Sequence, residues 1–215
     1  MHQRATIFPT MATKIIAPGS QELKDFYSTR STWRHQGEER MRFRRASAIA
    51  CVPSGSTVLD IGCREGGLRE YLPADVTYKG MDIAQEFARE NIVIQDISLG
   101  VPFPDESFDF VFIIEVLEHV HDPWSALGEI RRVLRPMGKL VLSVPNPYHF
   151  KEIIWNTFRI PDRQGHIHSW TRQTMTKFAE MSGFRLEATA GTYLHPPIPM
   201  TALLARSIMY RFVKL

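Results

Sequence analysis

The chain has 215 residues, 44% of them hydrophobic and 23% charged, with a formal net charge of +3. That fits one large α/β domain able to bury its own core, and the charge is too small for a nucleic-acid field over the whole surface. Two cysteines, Cys51 and Cys63, do not make a disulfide framework or a zinc site. With no secretory h-region and no apolar run near the roughly 20 residues that span a bilayer, a reducing, cytoplasmic setting is expected.

Residues 1–21 carry His2, Arg4 and Lys14 without an acid. They lack a convincing amphipathic pattern and read as a loosely ordered N-terminus. Ser20 is a candidate N-cap for a helix to about Tyr27. Phe26, Tyr27 and Trp33 either line a pocket or pack this segment onto the domain. Residues 37–51 read as a second helix, with Met41, Ile49 and alanines on its apolar side. Six arginines fall in residues 30–45: Arg30, Arg34, Arg40, Arg42, Arg44 and Arg45. A solvated helix face explains them, and attraction to an anionic substrate or membrane surface is the alternative. Pro53-Ser54-Gly55-Ser56 then turns the chain.

From Val58 to Leu72 the chain reads as a buried strand, a glycine turn and a helix stopped by Pro73. Such a unit aims backbone N–H groups at a ligand. The glycines read Gly62-x-x-x-Gly66, short of a full dinucleotide fingerprint. Asp60 would repel a pyrophosphate and attract a cationic ligand end. Val76–Ile83 is the second strand and ends near Asp82, 22 residues after Asp60. A carboxylate there is placed for ribose hydroxyls, or it is a strand-end turn aspartate. Ile92–Ile97 is a third short strand carrying Asp96, an acceptor suited to an exocyclic amine. Three strands with an aspartate at the end support a bound adenosine.

Pro102 and Pro104 mark a loop before Phe108–Ile114, an apolar run expected of a parallel strand buried on both faces. Glu115, Glu118 and His119 follow it, where open α/β sheets bind ligands. Three readings compete. Glu115 frames a cofactor while Glu118 and His119 orient a substrate or act as a base; or all three hold a divalent cation such as Mg²⁺; or they cap the next helix. Trp124–Arg135 has helical spacing, Pro136-Met137-Gly138 breaks it, and Lys139–Pro145 is the fifth strand. Residues 148–170 are rich in aromatics and hold His149, His166 and His168. An aromatic wall favours an apolar acceptor, and aromatics are also ordinary core. His166 or His168 is a candidate base or metal ligand, or a structural histidine. Thr171 is an N-cap for a helix from Arg172 to Met181, ended by Ser182-Gly183, and Phe184–Ala190 is the sixth strand. The last fifteen residues hold Arg206, Arg211 and Lys214 without an acid and read as apolar, basic and helix-like.

Asp60-x-Gly62-Cys63-x-x-Gly66, the phrase Pro102-Phe103-Pro104-Asp105-Glu106-Ser107-Phe108-Asp109-Phe110-Val111 and the stretch Leu134–Asn146 belong together. They resemble class I S-adenosylmethionine-dependent methyltransferases of the small-molecule, ubiquinone- and menaquinone-biosynthesis type (methyltransferase type 11), over residues 58–147. Arg64 and Met137 stand where glycine is usual. The resemblance implies an α/β, Rossmann-like fold with a doubly wound, mostly parallel sheet. It implies S-adenosylmethionine held by Asp60, Gly62, Cys63, Gly66, Asp82, Ile83, Asp96, Ile97 and Glu115, with Asp96 beside the adenine amine. It divides the chain into a covering segment at 1–36, the cofactor domain at 37–194 and a tail at 195–215. The family normally adds a final antiparallel strand: either Tyr210–Leu215 serves, or it is missing and the tail docks on a protein or membrane surface.

The activity expected is methyl transfer to a small-molecule acceptor, an oxygen foremost, with His119 and His166 as candidate catalytic groups. Some O-methyltransferases use a Glu-x-x-Glu-His segment for a metal, as Glu115, Glu118 and His119 would. A non-catalytic partner subunit of the same fold and an RNA methyltransferase are the alternatives, although a nucleic-acid partner is not expected. A nicotinamide dehydrogenase leaves Asp60 and Asp96 without roles.

Overall fold

The computed structural model describes residue 17 and residues 20–28, 36–160, 165–192 and 205–215. Apolar runs that lack helical spacing form the strands. β1 (Thr57–Ile61), β2 (Thr77–Asp82), β3 (Ile92–Ile94), β4 (Phe108–Ile114) and β5 (Leu134–Pro145) run parallel. β6 (Phe184–Gly191) and β7 (Ser207–Lys214) complete a seven-stranded sheet of order β3-β2-β1-β4-β5-β7-β6. β7 is antiparallel to both of its neighbours. The strand order reverses between β1 and β4, so a crevice opens beyond their carboxyl ends.

Strand side chains alternate between two cores. Leu59, Val111, Ile113, Leu140, Leu142 and Tyr210 face α3 (Pro123–Val133) and α5 (Arg172–Met181). Val58, Phe110, Phe112, Val141 and Met209 face α2 (Gln36–Ala50). Each large side chain so buried contributes about 1.5–3 kcal/mol. α2 packs through Ala46 and Ala50, whose small side chains admit close approach; Met41, expected on that apolar side, is exposed. α1 (Gln21–Ser28) starts as its sequence signals, with the Ser20 hydroxyl accepting from Leu23 N–H at 3.2 Å. Thr171 caps α5 in the same way, accepting from Thr174 N–H at 3.1 Å.

Several expectations need correction. The segment after the glycine turn is only a 3₁₀ turn, Gly67–Tyr71. β3 ends at Ile94, and Asp96 instead caps the 3₁₀ turn Ile97–Leu99, its carboxylate accepting from Ser98 N–H. The final antiparallel strand exists and begins earlier than Tyr210. Ser207–Lys214 is inserted between β5 and β6, with Ile208, Met209, Phe212 and Val213 buried. It is therefore no helix-like tail, and these residues are not available to dock on a membrane or a protein. Their basic side chains are not a solvated face either. Arg211 donates to the Ile49 carbonyl and pairs with Glu187, and buried Lys214 donates to the Leu134 carbonyl. Residues 195–204, Trp33 and the N-terminal stretch to residue 16 lie outside the described residues.

Met137, where glycine is usual, sits at φ +63. An L side chain is strained there by about 1 kcal/mol. Met137 is exposed, so its side chain gives little packing in return. Met137→Gly is expected to stabilise the protein by about 0.5–1 kcal/mol, read by urea unfolding. A destabilised variant would show that the position is not strained.

Candidate functional site

The glycine turn is built by close approach. Gly62 has φ +72, and a Cβ there would collide with the Val116 side chain. Its N–H donates to the Met81 carbonyl at 2.7 Å, which locks the β1 turn to the end of β2. Arg64, the departure from glycine, also adopts a left-handed φ of +50. Its N–H donates to Asp82 Oδ2 at 2.8 Å, and Ala84 N–H donates to Oδ1 at 2.9 Å. Two backbone donors thus fix the Asp82 carboxylate.

Beyond the strand ends lies a cavity of about 350 Å³. Its wall includes Gly62, Asp82, Ile83, Asp96, Ile97 and Glu115, brought together from β1, β2, β3 and β4. Glu118, His119 and His166 line it as well. Asp60, Cys63 and Gly66 are not on the wall. Asp60 is buried beneath the turn, accepting from the Tyr78 hydroxyl at 2.7 Å. Cys63 is buried, and burial beside Asp60 and Asp82 pushes its thiol far up, so it is an inert space-filler there.

Asp60 carries a testable consequence. Burial pushes its carboxyl up to about 7; the Tyr78 hydroxyl works against that shift, and the Asp82 charge adds to it. An unfolded aspartate ionises near pH ~4. Between those values the folded protein keeps a proton that the unfolded chain has lost, so stability falls as pH rises through that window, by up to about 4 kcal/mol. Asp60→Asn retains an acceptor for Tyr78 and removes the charge. Its gain over wild type is expected to be absent near pH 4 and full at pH 8, read by urea unfolding. An advantage of equal size at both pH values contradicts the buried-carboxyl account.

Glu115 sits at φ +55, which turns its side chain across the sheet. Its carboxylate accepts from Ser143 Oγ at 2.6 Å and from Ser207 Oγ at 2.7 Å, with Arg42 at 3.5 Å. Glu118 leaves the chain differently. It is 1% exposed, and neither carboxylate oxygen has a hydrogen-bond partner. Burial and then the Glu115 charge push its carboxyl well above the usual range, while Arg42 pulls it back.

The Glu118 carbonyl accepts from Ile167 and His168 N–H, at 2.9 and 3.1 Å. These bonds pin the loop that carries His166 over the cavity. The His119 and His166 rings then lie 4.9 Å apart. His119 Nδ1 is 3.1 Å from the Gly165 carbonyl. A carbonyl only accepts, so Nδ1 carries the proton and Nε2 is the acceptor of the neutral ring. Nε2 lies 4.0 Å from Glu118. Ligand atoms of Glu118, His119 and His166 all fall within 4.8 Å of one another. Of the candidate cation ligands, Glu115 is held by two serines and an arginine, whereas His166, also a candidate, lies with Glu118 and His119. His168 points elsewhere, toward Trp170.

The arginines were read too blandly. Arg40, Arg44 and Arg45 are exposed, but Arg42 lines the cavity. Arg64 pairs with Glu39 at 3.3 Å, and Arg206 pairs with Glu38 at 3.2 Å, so α2 is tied over the cavity from two sides. No spacing rule singles out Arg42 or Arg206; only the facing of α2 and the placement of β7 bring them in. The wall carries six acids, Glu38, Glu39, Asp82, Asp96, Glu115 and Glu118, against three arginines. An acidic excess with fixed carboxylates at β2 and β3 fits a ligand bearing ribose, an exocyclic amine and cationic groups. From α1 it is Leu23 that lines the cavity, and Phe26 is not on its wall. The Tyr27 and Trp33 side chains lie outside the described residues.

Residues 33–189 match the family described as the methyltransferase domain. The chain is 32% identical over 122 residues to the 27-O-demethylrifamycin SV methyltransferase of Amycolatopsis mediterranei, covering 48% of this chain and 45% of that protein. It is 30% identical over 152 residues to the 2-methyl-6-phytyl-1,4-hydroquinone methyltransferase of Synechocystis, covering 64% of this chain and 47% of that protein. The chain thus spans about half the length of these curated relatives. Among solved structures, it resembles the chain described as a putative methyltransferase in a complex with the Haloferax volcanii Trm112 methyltransferase activator. The TM-score is 0.68 at 20% identity, with 88% of this chain and 96% of that chain covered, a likeness of fold.

Proposed function

Starting from the chain's membership of the class I S-adenosylmethionine-dependent methyltransferases, we propose that it methylates an oxygen of a small-molecule acceptor. The observation that carries this reading is the tautomer of His119, whose Nδ1–H···Gly165 bond leaves Nε2 as an acceptor beside the cavity. S-adenosylmethionine, when bound, supplies a methyl group already activated on a cationic sulfur. Asp82 is poised for ribose hydroxyls, Asp96 for the adenine amine, and the Gly62 turn lets the backbone approach the ligand. α2 and Leu23 cover the cavity and keep water out. His119 Nε2 takes the proton that an acceptor hydroxyl gives up as its oxygen forms the new bond to the methyl carbon, the carbon–sulfur bond breaking so that its electron pair leaves on the neutral thioether, S-adenosylhomocysteine. The proton can remain on the ring because the Gly165 carbonyl still accepts from Nδ1. Glu118 and His166 beside it orient the hydroxyl.

A second reading rests on the bare Glu118 carboxylate. Glu118, His119 and His166 offer one oxygen and two imidazoles to a divalent cation. That donor set suits zinc, iron or manganese better than Mg²⁺, which prefers oxygen ligands. A cation there would lower the proton affinity of an acceptor hydroxyl.

The test screens phenols, hydroquinones, amines and carbon acids with S-adenosylmethionine carrying an isotopic methyl, with and without chelator. O-methyl products formed equally in chelator support the His119 base. Loss in chelator and recovery with manganese or zinc supports the cation. Methylation of nitrogen or carbon acceptors alone overturns the oxygen assignment.

A further inference from the structure

α4 (Phe150–Thr157) is folded inside out. None of its residues is buried, and it exposes an apolar face. At 100° per residue, Phe150, Ile153, Ile154 and Phe158 fall on one side, spanning about 140°. Phe150 is 60% exposed and Phe158 73% exposed. The acidic Glu152, on the opposite side, is half-buried. Tyr148, Ile160 and Ile167 are exposed as well. Half of the fourteen exposed large hydrophobic side chains among the described residues lie between Tyr148 and Ile167. The aromatics read from the sequence as a pocket wall or core do not serve as either here, except Trp170, which stacks on Phe178.

The margin of this face is basic and amphiphilic. Lys151 lies 4.1 Å from the centre of the Trp155 ring, a charge and an indole side by side. Arg159 is exposed at the end of the helix. Tyr148 also lines a shallow groove with Arg172 on α5, where Lys177 is paired with Glu180 at 2.8 Å. Apolar side chains flanked by an indole, a phenol and basic groups match the interface of an anionic bilayer.

We propose that α4, with Tyr148, Ile160 and Ile167, docks this protein onto the surface of an anionic lipid bilayer. A second copy of the chain fits less well. An eight-residue helix is about 12 Å long, too little for the roughly 1,200 Å² of a stable interface. A symmetric pair would also bring Lys151 and Arg159 of both copies together without an exposed acid of α4 to meet them. Anionic headgroups supply that charge. Ile167 adjoins His166 on the cavity wall, so docking would hold the cavity close to the lipid.

The test is co-sedimentation of the full chain with vesicles of phosphatidylcholine, and of phosphatidylcholine with 30% phosphatidylglycerol. Binding to the anionic vesicles is expected, at least 10-fold weaker on pure phosphatidylcholine and weakened by salt. The triple variant Phe150→Ser, Ile154→Ser, Phe158→Ser is expected to lose at least 10-fold in partitioning. It should keep its circular dichroism and its affinity for S-adenosylhomocysteine, because it alters no cavity residue. If that variant misfolds, Lys151→Glu with Arg159→Glu should abolish the preference for anionic vesicles. Wild-type protein that stays in solution with anionic vesicles overturns the proposal. So does partitioning unchanged in the variants. A wild-type dimer in sedimentation velocity that the triple variant converts to monomer also overturns it, and assigns the face to a second copy. None of these readouts requires methyl transfer, so the proposal and the activity fail separately.

Discussion

Asp82→Ala abolishes binding of S-adenosylhomocysteine. The Asp82 carboxylate is 7% exposed and is aimed by the Arg64 and Ala84 N–H groups, so it is ordered before any ligand arrives. Two hydrogen bonds from ribose hydroxyls to a fixed carboxylate are each worth about 1.5–3 kcal/mol. Their loss should weaken affinity at least ~100-fold. The sheet does not depend on them. The variant should still unfold cooperatively, at a lower midpoint because two N–H groups lose their acceptor. Calorimetric titration checks the affinity and thermal unfolding checks the fold. A folded Asp82→Ala that binds like wild type removes the ribose assignment.

His119→Ala has the second large effect, and it should fall on a different constant. On the proposed function its ring serves acceptor chemistry and takes no part in holding adenosine at the strand ends. General-base catalysis supplies roughly 10²–10⁴-fold. The turnover number should drop by that factor while S-adenosylhomocysteine affinity stays within about threefold of wild type. Unchanged turnover would show that His119 does not act on the acceptor. An equal loss of cofactor affinity would make it a structural residue of the β4 end.

The two variants also divide what was legible from what was not. Asp82 at the end of β2 and Asp96 just past β3 stand out in sequence because ligands in open α/β sheets sit beyond the strand ends. The continuous apolar run of β4 and the caps at Ser20 and Thr171 are local signals, and local signals survive folding. Glu115 is different. Its neighbours Ser143 and Ser207 are 28 and 92 residues away, and nothing near Glu115 announces its positive φ. For that reason the segment Glu115-x-x-Glu118-His119 does not show in sequence that Glu115 turns to the two serines while Glu118 and His119 stay beside His166. β7 is only half legible: Tyr210–Leu215 offers itself as the closing strand, but Ser207–Lys214 is apolar on both faces, and a strand buried on both sides cannot be told from a helix by period. α4 departs from the usual rule of burial: four of its neighbouring apolar side chains are exposed while Glu152 is half-buried.

The measurement that bears most directly on this account is calorimetric titration of the purified chain with S-adenosylhomocysteine, with and without a divalent cation. The account predicts one micromolar site per chain, lost in Asp82→Ala and kept in His119→Ala. A folded chain that takes up no S-adenosylhomocysteine in either condition contradicts it, and would make the cavity at the strand ends a vestige in a non-catalytic partner subunit.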